Sequence, residues 1–123
     1  MISLILVILA AILNSIMDIV SLRYTKSIFV NYPNLRYFID PDVSWRNKWK
    51  NGDPKQGEKF FGSSTFLVWT TDLWHLAKTL MLACFSIAIV VYSPIINPVV
   101  DAMIYWLIFG AVFELFWSKI LKK

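Results

Sequence analysis

Apolar residues along this chain gather into three long runs. The first is ISLILVILAAILNSIMDIV, residues 2–20, interrupted by Asn14 and Asp18. The second covers residues 65–92 and the third residues 99–120. A helix needs about 20 mostly apolar residues to cross a hydrocarbon core. The pattern therefore predicts an all-α protein with three transmembrane helices. The second run exceeds one crossing, which puts its membrane portion over residues 73–92. Between runs two and three lies SPIINP, residues 93–98, an outer turn. Asn97 suits an N-cap, and Pro98 suits the first helical position, where its missing N–H costs nothing. Asp101 then faces the positive end of the helix. Runs two and three are expected to form an antiparallel hairpin, followed by a basic tail at 121–123.

Composition supports this reading. The chain is 58% hydrophobic and 16% charged, against 45–50% and about 25% in soluble domains. Without lipid, 123 residues could not bury so much apolar surface. A cleaved signal peptide is the competing reading of the first run, but it needs a basic leader, and no Lys or Arg precedes Arg23. The single Cys84 lies in an apolar run and reads as a small buried hydrophobe.

Charge placement sets an orientation. Residues 21–64 hold Arg23, Lys26, Arg36, Arg46, Lys48, Lys50, Lys55 and Lys59, and the C-terminal end holds Lys119, Lys122 and Lys123. The outer turn holds none, and Lys78 lies within run two. Basic loops stay in the cytoplasm, so the N-terminus is expected outside and the long loop and C-terminus inside.

The loop at 21–64 carries nine aromatic residues, among them Phe29, Phe38, Trp45 and Trp49, unlike a disordered linker. SWRNKWKNG reads as a short interfacial helix with Ser44 as N-cap and Gly52 as stop. Trp45 and Trp49 would share its face, framed by Arg46, Lys48 and Lys50. The competing reading is a small globular cap with those Trp as its core. In EKFFGSST, residues 58–65, Gly62 and three hydroxyls beside Lys59 could offer helix-start N–H groups to a lipid phosphate; plain capping by Ser63 or Ser64 is the simpler reading. Asp40, Asp42, Asp53 and Glu58 offset half the loop's basic charge. The expected partner is therefore the anionic inner leaflet rather than nucleic acid.

TTDLWHLAK, residues 70–78, places three ionisable groups at the opening of the second span. On a helix, Thr65, Asp72, His75, Thr79 and Ser86 form one stripe. Asn14 and Asp18 on the first span and Glu114 on the third sit at comparable depth. The expectation is an intramembrane polar layer of Asn14, Asp18, His75, Lys78 and Glu114. In its structural version Lys78 pairs with Glu114 or Asp18, and His75 bonds Asp72 or Asn14, because an unpaired charge in lipid costs several kcal/mol. In its catalytic version His75 is a general base or proton relay with Asp72, Asp18 or Glu114. No HExxH or His-rich spacing marks a metal site, and no cofactor is expected.

The stretch WRNKWKNGDPKQGEKFFGSSTFLVWTTDLWH, residues 45–75, about a quarter of the chain, resembles a pattern in small uncharacterised bacterial integral-membrane proteins. The resemblance implies a bacterial membrane setting and transfers no catalytic residue. The sequence thus favours a non-enzymatic membrane subunit or scaffold that binds anionic lipid and a protein partner or a second copy. Alternatives are an enzyme acting on a lipid headgroup, a proton or ion path, and a holin-like pore former.

Topology is directly testable. Reporters fused at Gly52 and after Lys123 should both be cytoplasmic, and one at Ile96 should be outside. Finding Gly52 and Ile96 on the same side overturns the three-span reading.

Overall fold

Residues 2–22 contain no Gly or Pro to interrupt a helix, and lipid leaves a backbone no other way to satisfy its polar groups. In the computed structural model, which describes residues 1–123, they form α1 (Ile2–Leu22). It ends at Arg23, whose N–H still reaches Ile19 O at 2.8 Å. A folded segment follows, containing the short helices α2 (Arg36–Ile39) and α3 (Pro41–Ser44) among 3₁₀ turns. Then come α4 (Leu73–Val90) and α5 (Pro98–Leu115), the latter continued by a π-helical turn to Ile120. The architecture is all-helical, with three helices long and apolar enough to cross a membrane.

The expected second span divides. Residues 65–71 are turns and one 3₁₀ turn, and the helix starts only at Leu73. Gly62 has φ +78°, and the Phe66 ring occupies the space a Cβ would need, 2.6 Å away. Thr70 and Thr71 donate their hydroxyls to Leu67 O and Val68 O. Such local bonds compete with helix formation, and Asp72 then provides a cap. Thr65 thus lies off the helix, while Thr79 and Ser86 face outward. The expected polar stripe of α4 is not a protein-facing surface.

The buried residues of α4 are instead small, Ala77 and Ala88, and α1, which packs on it, buries Ala10 and Ala11. Small side chains allow two membrane helices to approach closely. Ser3 locks the far end by donating to Ala88 O at 2.8 Å. α1 packs on both α4 and α5, while the α4 and α5 backbones stand apart. Ring pairs Phe85–Phe109 and Tyr92–Tyr105, with centroids 6.1 and 6.5 Å apart, cross that gap. The hairpin is therefore wedged open by α1. Its turn is built as the residues suggest: Asn97 accepts the Val100 N–H at 3.0 Å. Asp101, 1% exposed, accepts Tyr92 O–H and the N–H groups of Ile95 and Ile96.

The main apolar core lies at the loop end: Ile19 and Val20 of α1, Ile39 of α2, and Leu121, with Phe29, Phe38 and Trp74 against them. The C-terminal residues are pinned beside Ser27, with Ile28 N–H donating to Leu121 O and Lys123 N–H to Lys26 O, each at 2.8 Å. The loop is thus a folded cap. Its core is Phe29, Phe38 and Ile39 rather than Trp45 and Trp49.

The expected helix through Gly52 is corrected in the same region. Asp40, not Ser44, is the cap, accepting the Asp42 N–H at 3.1 Å. The turns continuing from α3 end at Lys48, Trp49 is extended and paired across a hairpin with Glu58, and Lys50–Gly52 is a separate 3₁₀ turn. Trp45 and Trp49 consequently share no helical face, and each has its own cation: Arg46 lies 5.1 Å from the first ring and Lys48 5.7 Å from the second. No helix begins at residues 63–65. Ser63 is consumed by the hairpin, donating to Lys48 O at 2.7 Å, so the anion cradle expected there does not form.

Filling the space beside a buried alanine of α1 should destabilise the bundle. Ala11→Leu should cost about 1–3 kcal/mol by overpacking, read as a lower melting temperature in detergent, while Ala83→Leu on the exposed face of α4 should change little.

Candidate functional site

Asp72 opens α4 and holds the only histidine. Its Oδ1 accepts the His75 backbone N–H at 2.7 Å, and His75 Nδ1 lies 3.0 Å from Oδ1 and 2.9 Å from Oδ2. Asp72 is 3% exposed. A carboxylate facing Nδ1 holds the proton there, so in the neutral ring Nε2 carries the lone pair. Nε2 has no partner in the protein and is not enclosed. The Trp74 ring meets the imidazole edge-on, centroids 4.9 Å apart.

The dyad lines a cleft of about 360 Å³ between the start of α4 and the cap. Ser44, Trp45 and Lys48 form the cap wall, and Ser21 at the end of α1 closes one side. Asn47 positions that wall: its Nδ2 donates to Tyr37 O at 2.7 Å and to Thr71 O at 2.9 Å, tying the cap to the residue before Asp72. Sequence reasoning named Lys48 and Trp45 only as interface residues and missed the cleft roles of Ser44 and Asn47. Nothing in their spacing from Asp72 signals the contact, because the chain reverses through a hairpin between them.

The expected polar layer is not assembled. An ion pair joins Arg36 to Asp40, His75 hydrogen-bonds Asp72, and no ion pair joins Lys78 to Glu114 or Asp18. Lys78 is exposed and holds its ammonium 5.3 Å from the Trp74 ring centroid. Its long stem carries the charge out over that ring, with no carboxylate as partner. Glu114 is exposed and accepts the Ser118 hydroxyl. Asn14 and Asp18 remain half-buried on α1, and Asp18 lends its carbonyl to Ser21 at 3.2 Å. His75 bonds Asp72, not Asn14. No group of three His, Cys, Asp or Glu could hold a metal ion.

Two other recesses flank the bundle. One, about 320 Å³, lies beside Tyr24, Arg36 and Asp40. There burial, then the Asp40 charge, pushes the Tyr24 hydroxyl above its ordinary range. The Arg36–Asp40 bond, 2.9 Å, joins an exposed guanidinium to a buried carboxylate and fixes the turn into α3. The other, about 670 Å³ and almost wholly apolar, opens between the spans near the short turn.

No protein-family model, curated protein or solved structure matches the chain. The class defined here rests on its own geometry: an all-helical chain with three helices of membrane-crossing length, consistent with a multi-pass membrane protein.

Removing the cap should register as stability. Asp72→Ala should cost about 1–2 kcal/mol and Asp72→Asn less, since the amide still accepts the His75 N–H. Because Lys78 and Glu114 make no pair, Lys78→Met and Glu114→Gln should be additive in detergent melts to within about 0.5 kcal/mol. Mutual rescue would show a contact between them.

Proposed function

We propose that the protein is a small multi-pass subunit or scaffold of the bacterial cytoplasmic membrane, with its N-terminus outside and its cap in the cytoplasm. It acts without catalysis, binding anionic lipid and a protein partner or second copy through the cap. The observation that carries this reading is the rim of the cap just before α4. Phe60, Phe61, Phe66 and Trp69 are 42%, 86%, 61% and 38% exposed, beside exposed Arg46, Lys50 and Lys59. In water such a cluster is an aggregation liability. Beside a membrane span it is an anchor: rings lie at headgroup level while cations meet anionic lipid.

A second reading is supported by the Asp72–His75 pair, whose open Nε2 suits a general base or proton relay acting at a lipid headgroup. Asp18 and Glu114 are poor partners for that chemistry, since neither hydrogen-bonds the ring. An ion path or holin-like pore is less well supported, because the cap packs its apolar core across the loop end of the bundle.

Interfacial docking can be read from fluorescence. In vesicles, a variant retaining Trp69 alone should be quenched by headgroup-labelled lipid. Changing Arg46, Lys50 and Lys59 to Gln should weaken its preference for anionic vesicle lipid by about 1 kcal/mol per charge. Quenching solely by aqueous agents would sink the anchor reading.

A further inference from the structure

Serine hydroxyls in helices ordinarily donate to a carbonyl one turn back. Ser15, Ser21 and Ser86 do so here, while Ser3 reaches across to Ala88 O and Ser118 donates to Glu114. Ser44 is the helical serine that does neither. It is 2% exposed, yet its hydroxyl has no partner in the protein, and the residue lines the cleft beside His75 and Lys48. The hydroxyl is not enclosed, so it opens on the cleft, where it is free to donate to a ligand.

The groups around Ser44 differ in what they offer. Lys48 is half-buried and brings a positive charge. The Asp72 carboxylate is taken up by His75, and Lys48, which lines the cleft with its ammonium 5.7 Å from the Trp49 ring centroid, makes no ion pair. Ser44 O–H is a second donor for an anionic oxygen. His75 Nε2, with Nδ1 held by Asp72, accepts from a hydroxyl when the ring is neutral. One charged acceptor and one neutral donor on the same ligand would satisfy all three groups. The cleft also lies where α1 ends and α4 begins. If these helices span the bilayer, that is headgroup level. Its volume, about 360 Å³, is at the small end for ligand pockets and suits a headgroup.

We infer that this cleft binds one phosphate ester bearing a free hydroxyl, delivered by an anionic lipid headgroup: Lys48 and Ser44 hold the phosphate, and His75 Nε2 accepts the hydroxyl. The inference rests on the lipid-binding reading above and names the ligand chemistry for it.

Native mass spectrometry of the detergent-purified full chain tests it, with phosphatidylglycerol, phosphatidic acid, phosphatidylcholine and water-soluble glycerol phosphate as probes. The chain should retain one phosphatidylglycerol about tenfold better than phosphatidylcholine. Ser44→Ala and Lys48→Gln should each lower that retention about five- to tenfold. Lys55→Gln, an equal charge change on the exposed hairpin tip, should alter it less than about twofold. His75→Phe should erase the preference for phosphatidylglycerol over phosphatidic acid. Thermal melts establish that each variant is folded, and Ser44→Ala removes only one oxygen. If phosphatidylglycerol is retained equally by wild type, Ser44→Ala and Lys48→Gln, the cleft assignment is overturned while lipid binding by the cap stands. If wild type does not distinguish phosphatidylglycerol from phosphatidylcholine, the lipid-binding reading fails and the inference with it. Displacement of the lipid by equimolar glycerol phosphate overturns the lipid as source and assigns the cleft to a soluble phosphate ester.

Discussion

The Asp72 carboxylate is the interaction on which most of this architecture depends. It sits nearly buried at the junction of cap and bundle and bonds both the backbone and the ring of His75. Its first bond decides where α4 begins, and so which residues enter the apolar layer. Its second bond fixes the imidazole tautomer and leaves Nε2 open. A serine there could cap the helix but lacks the second carboxylate oxygen that also faces the ring. An apolar side chain there would leave the His75 N–H at the start of α4 without its cap. Asn47 links the residue before Asp72 to the cap, so the helix start and the cap wall are held by one local network.

A second constraint is the close approach of α1 and α4. Alanines on both helices remove the bulk between them, and the Ser3 hydroxyl closes the far end. With α1 packed between them, α5 reaches α4 only through large rings, and the apolar recess between the spans is what those rings leave open. Packing is tight at the loop end, where the cap closes on Ile19, Val20 and Leu121, and looser towards the short turn. The polar cleft lies at the tight end, where side chains can be held in place.

The cap combines two behaviours that sequence treats as alternatives. Part of its aromatic content is a core, with Phe29 and Phe38 packed under α1. The rest lies on the rim, with Phe61 and Phe66 edge to face at 5.6 Å and largely exposed. Composition alone does not sort aromatic residues between these places. The sorting follows from the hairpin between Lys48 and Lys59 and from the pinning of the C-terminal residues to Ser27, both contacts between distant positions.

The sequence by itself determined what depends on each residue's own chemistry and its near neighbours. Three helices of membrane-crossing length follow from summed apolar character. The Asn97 cap followed by Pro98 follows from the geometry of a helix start, and the Asp72–His75 bond joins residues three apart. Tertiary structure decided what depends on partners far along the chain. α1, not α5, became the neighbour of α4, because small residues on both faces permit closer contact than the rings of α5. Lys78 turned outward over the Trp74 ring instead of pairing with Glu114, because the packing brings no carboxylate to its ammonium. Ser44 and Lys48 came to face His75 because the hairpin and Asn47 return the cap to the start of α4. Such convergence is a property of packing, and no spacing of residues in the sequence encodes it.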